Sequence, residues 1–192
     1  MIDKILNKIK ETMSIKSICL VGIDGCSGSG KSTLAEQIVS RYSSGQIIHM
    51  DDLYKPSIER LQLEISKKES GADYDILKLK QDIIIPIMNG IEGRYRRYDW
   101  VLDKLAEWHT VEPKGLIIVE GVYSISEQLY NKYDIKIFVD CNRELHLKRG
   151  LERDGTNALD SWKIWMIGED KYLEEQKPRE RSDFIISGEE KY

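Results

Sequence analysis

Residues 18–34 read ICLVGIDGCSGSGKSTL, and this stretch decides the fold of the chain. The apolar run 18–23 predicts a strand, which leads through a loop of small residues into a helix that begins near Thr33. The loop matches the phosphate-binding pattern G-x-x-x-x-G-K-[ST]. Its defining positions are Gly25, Gly30, Lys31 and Ser32.

These residue types suit phosphate binding at this spacing. Glycines let the backbone curl until successive N–H groups point at phosphate oxygens, and the helix N-terminus adds partial positive charge. Lys31 can reach the β- and γ-phosphates, and the Ser32 hydroxyl can ligate Mg²⁺. We therefore predict a nucleoside triphosphate site rather than a plain glycine-rich turn. The predicted contacts are Gly25, Cys26, Ser27, Gly28, Ser29, Gly30, Lys31, Ser32 and Thr33.

Composition narrows the class of protein. The chain has 192 residues, 41% of them apolar and 32% charged, which favours one soluble globular domain over residues 1–192. The net charge of −4 argues against a general nucleic-acid binder. No apolar run approaches the ~18–20 residues that cross a bilayer. Residues 2–13 read as an amphipathic helix without the apolar core of a secretory signal, so we expect a helix packed on the domain rather than on a membrane.

The cysteines are Cys19, Cys26 and Cys141. Their odd number and the lack of C-x-x-C spacing argue against a disulfide framework or a zinc site, and favour a reducing cytoplasm. Cys26 lies inside the phosphate loop, where positive surroundings would lower the pKa of its thiol. A small loop residue without a special role is the simpler interpretation. The oligomeric state stays open, a homo-oligomer included.

Periodicity and chain breakers predict the remaining elements. Strands are predicted at 17–24, 46–51, 115–120, 135–140 and 183–187. Helices are predicted at 33–42, 73–88, 126–133, 142–154 and 160–175. Strands that alternate with helices indicate a three-layer α/β domain with a parallel sheet. Residues 95–111 allow two interpretations, a β-hairpin around VLDKL or a helix across 100–108.

Acidic residues stand at the predicted strand ends, where ligands of such a sheet gather. Asp51 and Glu120 follow apolar runs directly and are the leading candidates for binding Mg²⁺ or accepting a proton from a hydroxyl. Asp52 has a weaker claim, and Asp140 is better explained as support of the sheet edge.

Basic residues form a second set. Arg149 and Arg153 lie four apart on one helical face, and more basic residues follow at 177–181. Such arginines could close over phosphates as part of a flap, and a solvated, ion-paired surface is the alternative. Trp162 and Trp165 are expected to anchor the last helix, and the three histidines receive no role.

Taken together, these segments resemble the uridine kinase group of P-loop small-molecule kinases, relatives of phosphoribulokinase and pantothenate kinase. The resemblance covers about residues 17–188 and rests on GIDGCSGSGKST, HMDDLYK, RYDW, IIVEGVY, IKIFVDCN and RGLERD, in that order. It implies a P-loop NTPase fold with a five-stranded parallel sheet in the order 2-3-1-4-5. It also implies a small acceptor-binding hairpin at 91–113 and a helical lid within 150–181.

The resemblance further implies transfer of the γ-phosphoryl group of ATP, with Mg²⁺, to a hydroxyl of a small acceptor, first of all the 5′-hydroxyl of uridine or cytidine. Asp51 would be the base that activates this hydroxyl. The implied catalytic residues are Asp51, Lys31, Arg149 and Arg153. The implied Mg²⁺ ligands are Ser32, Asp51 and Glu120. The implied acceptor contacts are Asp51, Tyr54, Asp75, Tyr98 and Trp100.

Two departures from the family pattern lie in the segments that recognise the acceptor. The family's histidine a few residues beyond the tyrosine is Asp103 here. Its proline-containing acceptor motif is replaced by GADYDILK, in which Asp73 and Asp75 compete for the carboxylate role. The alternatives are a kinase of the same fold for another nucleoside, a vitamin precursor or a sugar phosphate, or a regulatory ATP-binding protein.

Overall fold

The computed structural model describes residues 1–189. Its strands are β1 (Ile18–Asp24), β2 (Gln46–His49), β3 (Gly93–Asp99), β4 (Lys104–Val111), β5 (Gly115–Glu120), β6 (Ile135–Asp140) and β7 (Phe184–Ser187). Five of them form a parallel sheet in the order β2-β5-β1-β6-β7. Strands β3 and β4 form a separate hairpin. When only the five strands of the sheet are numbered along the chain, their order is 2-3-1-4-5, as the family resemblance implies.

The helices are α1 (Ile2–Ile15), α2 (Lys31–Val39), α3 (Ile76–Lys78), α4 (Ile85–Met88), α5 (Arg143–Asp154) and α6 (Leu159–Gln176). A π-helical stretch, Leu79–Ile84, joins α3 and α4 into one helical run over 76–88. Asn142 caps α5, because its side chain accepts a hydrogen bond from the backbone N–H of Leu145 at 2.8 Å. Among residues 1–189, none of the helices combines the length and apolar character needed to cross a bilayer.

Helices cover both faces of the sheet, which explains why every residue of β5 is buried. On one face, α1 packs through Ile5 and Ile9 in a cluster that includes Leu34 of α2. Each of these fully buried side chains contributes about 2 kcal/mol through the hydrophobic effect. On the other face, the helical run 76–88 and the hairpin cover residues such as Ile117.

The hairpin prediction for residues 95–111 is confirmed, and the helical alternative is wrong. Strands β3 and β4 pair antiparallel, with Tyr95 opposite His109. Tyr95 also fixes the hairpin to the domain, since its hydroxyl donates to Asp52 at 3.2 Å.

Two local predictions need correction. Strand β2 ends at His49, and the next four residues form a 3₁₀ turn, Met50–Leu53. The helix predicted at 126–133 reduces to a single 3₁₀ turn, Tyr130–Lys132. The chain just before it is held to the sheet instead, because the backbone N–H of Ile125 donates to the side chain of Asp24 at 2.8 Å.

Candidate active site

The phosphate loop has a backbone that only glycine accommodates without strain at three positions. Gly25, Gly28 and Gly30 have φ values of +144°, +74° and +104°. A Cβ atom on Gly28 would lie 2.6 Å from the carbonyl oxygen of His146, and one on Gly25 would lie 2.3 Å from that of Val139. The loop therefore packs directly against neighbouring backbone, and its curvature depends on these glycines.

Asp24, the last residue of β1, braces this loop from below. One of its carboxylate oxygens accepts the backbone N–H of Gly25 at 2.7 Å. The other accepts the N–H of Ile125 at 2.8 Å and the hydroxyl of Tyr172 at 2.6 Å. Complete burial raises the pKa of Asp24 to about 6, although these hydrogen bonds favour its charged form. The sequence interpretation missed this residue, although it is an acid that ends an apolar strand.

Glu169 of α6 supports the loop from the other side. Its Oε1 accepts the backbone N–H of Ser27 at 3.0 Å, and its side chain is buried. No local pattern could have found this contact, because the two residues are 142 positions apart in the chain.

Lys31 and Ser32 begin helix α2. Lys31 is buried, and its Nζ donates to the carbonyl oxygen of Cys26 at 2.9 Å. The Ser32 hydroxyl donates to Oε1 of Glu120 at 3.1 Å. A hydroxyl and a carboxylate side by side are oxygen ligands of the kind that Mg²⁺ takes.

Glu120 has a second partner, His49, whose Nδ1 lies 2.5 Å from the same oxygen. The sheet register explains this contact, since His49 stands opposite Glu120 in neighbouring parallel strands. Burial disfavours the charge on Glu120, but the hydrogen bond with His49 and the charge of Lys31 lower its pKa overall. The hydrogen bond to Glu120 raises the pKa of His49 in turn. The sequence interpretation gave His49 no role.

Asp51 lies where two cavities meet. A cavity of about 740 Å³ follows the phosphate loop and reaches Glu120 and Arg149. A second cavity, of about 400 Å³, lies on the far side of Asp51. Both are lined by the same four residues at their junction: Ser27, Asp51, Val122 and Arg153. The Asp51 carboxyl is open to the cavities. The surrounding protein nevertheless desolvates this group, and this desolvation raises the pKa of Asp51. The negative charge of Glu120 raises it further.

Aromatic rings line much of the smaller cavity. Tyr54 and Trp100 stack with their ring centroids 4.6 Å apart, and the angle between their planes is 21°. The other rings of the lining are Tyr74, Tyr123, Trp162 and Trp165. Trp162 and Trp165 therefore do more than anchor α6, which is the role that the sequence predicts for them. Tyr98 is not part of this lining; it is buried, with its ring 5.0 Å from that of Trp100.

The structure separates the two aspartates that compete for an acceptor role. Asp73 lines the smaller cavity and accepts two hydrogen bonds from Lys68, at 2.8 and 2.9 Å. Asp75 caps α3, where its side chain accepts the backbone N–H of Lys78 at 3.1 Å, and it does not line either cavity. Asp75 remains a predicted acceptor contact, but its side chain is occupied by a structural role.

Asp103, at the position of the family's histidine, also has structural partners. It accepts the Tyr98 hydroxyl at 2.6 Å and both the backbone N–H and the hydroxyl of Ser57. These hydrogen bonds lower the pKa of Asp103 to about 2. The residue therefore joins the hairpin to the segment after β2 instead of facing the cavity.

The predicted arginines lie at the cavities. Arg149 lines the larger one, and its Nη1 donates to the carbonyl oxygen of Gly188 at 2.7 Å. Arg153 lines both and pairs with Asp154 at 2.7 Å. The basic segment before β7 behaves differently, because Arg179 and Arg181 form ion pairs at the surface.

This strand order, with a phosphate loop that opens onto an acid at the mouth of a second cavity, is the architecture of P-loop kinases. The family model described as phosphoribulokinase / uridine kinase family matches residues 20–161. The chain belongs to that family.

Individual relatives agree with this assignment. The chain is 31% identical over 142 residues to a uridine kinase of Halalkalibacterium halodurans, a match that covers 70% of this chain and 66% of that protein. It is 27% identical over 171 residues to the nicotinamide riboside kinase of Saccharomyces cerevisiae, with coverage of 78% and 71%. Its fold matches that of a solved structure from Bacillus stearothermophilus described as a possible uridine kinase, with a TM-score of 0.71, 22% identity, and coverage of 95% and 99%.

Proposed function

We propose that this protein is an ATP-dependent kinase that transfers the γ-phosphoryl group to a hydroxyl of a small acceptor, first of all the 5′-hydroxyl of uridine or cytidine. The observation that carries the proposal is the position of Asp51 at the junction of the two cavities. A carboxylate at that point can reach an acceptor in one cavity and the phosphates in the other.

The residues of the larger cavity fit a Mg²⁺-bound triphosphate. The curled loop leaves no room for side chains at Gly25 and Gly28, as expected where backbone N–H groups approach phosphate oxygens. Ser32, Glu120 and Asp51 would supply oxygen ligands and outer contacts for Mg²⁺. Bound ATP supplies the phosphoryl group, and Mg²⁺ neutralises charge on its oxygens.

The other residues then act on the acceptor and the developing charge. Asp51 orients the hydroxyl and accepts its proton as the new oxygen–phosphorus bond forms and the bond from the γ-phosphorus to the bridging oxygen breaks, with ADP as the leaving group. Lys31 releases the Cys26 carbonyl and binds the phosphates, and Arg149 and Arg153 neutralise charge in the transition state. In this proposal the segment 150–181 comprises the lid and the helix that follows it, and the hairpin within 91–113 is the acceptor-binding insertion of a single domain.

A cationic aromatic nucleoside is the second candidate acceptor. The smaller cavity combines stacked aromatic rings with the carboxylate of Glu169, whereas Asp73 is already paired with Lys68. Aromatic faces and carboxylates both favour cations. A relative named nicotinamide riboside kinase supports the inclusion of this class.

A panel of acceptors tests both candidates. The purified protein is incubated with ATP, Mg²⁺ and, one at a time, uridine, cytidine, adenosine, nicotinamide riboside, pantothenate or a sugar phosphate, and the phosphorylated product is identified by mass spectrometry. We expect the highest kcat/KM with a pyrimidine nucleoside. ATP hydrolysis that no acceptor accelerates would contradict the kinase proposal and favour a regulatory ATP-binding protein.

Asp51→Asn tests the mechanism, with Asp52→Asn as the matched control. We expect Asp51→Asn to keep its affinity for ATP and to lose roughly 10²–10⁴-fold in kcat, because general base catalysis contributes about that factor. Asp52 accepts the Tyr95 hydroxyl and lines neither cavity, so its variant should keep most of its turnover. Near-normal turnover of Asp51→Asn would refute the role of this base.

A further inference from the structure

Three side chains with metal-binding atoms converge behind the phosphate loop. Cys26 belongs to the loop itself, His146 to α5 and Glu169 to α6. One ligand atom from each lies within 4.8 Å of the other two. We propose that these three residues form a binding site for a transition-metal dication of the Zn²⁺ class, distinct from the proposed Mg²⁺ site.

Two buried polar atoms at this cluster point to a ligand. His146 and Glu169 are each 3% exposed. Within the part of the chain that the structure describes, neither Nδ1 of His146 nor Oε2 of Glu169 has a hydrogen-bond partner. Leaving such an atom unpaired costs about 1–3 kcal/mol, so two at one place need an explanation. A shared cation would satisfy both atoms at once.

The charges around the cluster favour a dication. A thiolate and a carboxylate together carry two negative charges, which equal the charge of Zn²⁺, and a neutral imidazole completes the set. Burial lowers the pKa of His146, although the charge of Glu169 opposes this shift. Asp24 adds negative charge nearby, whereas Asp170 is paired with Arg143, whose positive charge also acts on His146.

The same surroundings correct the sequence expectation for Cys26. Its thiol pKa is raised to about 12, chiefly by burial and also by the charge of Glu169, whereas the loop position alone predicts a lowered value. The charge of Lys31 opposes this shift without reversing it. Metal binding would therefore release the thiol proton to solvent as the sulfur–metal bond forms.

The ligand types separate this site from the proposed Mg²⁺ site. Mg²⁺ prefers oxygen ligands, as at Ser32 and Glu120, whereas sulfur with imidazole selects Zn²⁺ and chemically similar ions such as Co²⁺. Three protein ligands leave one position of a tetrahedron for water. A bound ion would tie α5 and α6 to the loop, which Glu169 already contacts through the N–H of Ser27.

Cobalt spectroscopy tests the site. Reduced protein, freed of metal with a chelator, is titrated with Co²⁺ alone. We expect one equivalent to produce a thiolate-to-Co²⁺ charge-transfer band, which added Zn²⁺ abolishes. Co²⁺ bound near His49 and Glu120 would give no such band, because that site lacks sulfur.

Variants assign the band to its residue. We expect Cys26→Ser to lose the band, Cys141→Ser to keep it, and Glu169→Gln to weaken Co²⁺ binding at least tenfold. Zn²⁺ in excess should also raise the Tm of the wild-type protein by roughly 5 °C, and leave that of Cys26→Ser unchanged. If Cys26→Ser does not fold, the test instead measures competition for Zn²⁺ between the wild-type protein and a colorimetric chelator. A missing band, a band that persists in Cys26→Ser, or failure of the wild-type protein to compete for Zn²⁺ would overturn the proposal.

Discussion

Replacement of Gly150 by alanine sets two effects of opposite sign against each other. Gly150 lies within α5, where alanine is favoured over glycine by about 1 kcal/mol. An added Cβ would, however, lie 2.1 Å from Cζ2 and 2.3 Å from Cη2 of Trp162. That indole is fully buried, and its Nε1 donates to Asp154 at 3.0 Å, so the ring has little freedom to move.

Overpacking of this kind costs about 1–3 kcal/mol, and a rigid ring places the cost at the upper end. The net effect of Gly150→Ala is therefore a loss of about 2 kcal/mol in the free energy of unfolding. For a chain of this length, that loss lowers the Tm by roughly 4–8 °C. Because Gly150 lines the larger cavity and Trp162 lines the smaller one, we also expect the KM values for both ATP and the acceptor to rise.

Thermal unfolding followed by circular dichroism measures the effect, and Trp162→Phe supplies the control. Phenylalanine lacks the fused indole ring whose atoms Cζ2, Cη2 and Cε2 the new methyl group would meet. In the double variant, the Gly150 substitution should therefore cost less than it does alone, which a double-mutant cycle would detect. A Tm for Gly150→Ala equal to or above that of the wild-type protein would refute the packing argument.

Three further predictions concern charged groups. Because burial raises the pKa of Asp24 from 3.8 to about 6, the native state keeps a proton that the unfolded chain has lost. The stability of the wild-type protein relative to Asp24→Asn, measured by urea unfolding, should therefore fall by about 2 kcal/mol between pH 4 and 6, and a difference independent of pH would contradict this. Protonated His49 partly neutralises Glu120, so the Mg²⁺ concentration for half-maximal rate should fall as pH rises through the raised pKa of His49. The variant His49→Asn should not show this trend. The same pH profile in His49→Asn and the wild-type protein would rule out the role of His49. Asp73→Asn should raise the KM for the acceptor more than Asp75→Asn does, and the reverse order in steady-state kinetics would restore Asp75 as the acceptor contact.

The fold could be predicted from the sequence because its signals are local. The apolar run before Gly25 and the glycine pattern after it define a strand, a loop and a helix without reference to the rest of the chain. The acids at Asp51 and Glu120 follow from the same logic, because parallel strands place their carboxyl ends at one edge of the sheet. The family assignment confirms that interpretation of the fold.

The remaining site residues depend on contacts that local patterns do not encode. Asp73 and Asp75 differ by two positions, and only the conformation of the turn decides which carboxylate faces the cavity and which caps α3. Trp162 fits helical packing equally well whether or not a cavity lies beside it. The pKa of Cys26 rises chiefly because the folded protein buries the thiol, and also because α6 places Glu169 behind the loop, whereas the loop sequence alone suggests the opposite direction.

The supports of the phosphate loop also affect how the protein is made. Tyr172 and Glu169 bind Asp24 and Ser27 across 148 and 142 positions of the chain. A ribosome that adds about 5–20 residues per second needs roughly 7–30 s to travel that distance. Throughout this interval the nascent chain contains the complete loop sequence without the helix that shapes it. The contacts that shape the loop can therefore form only after α6 has been synthesised, more than 140 positions after the loop itself.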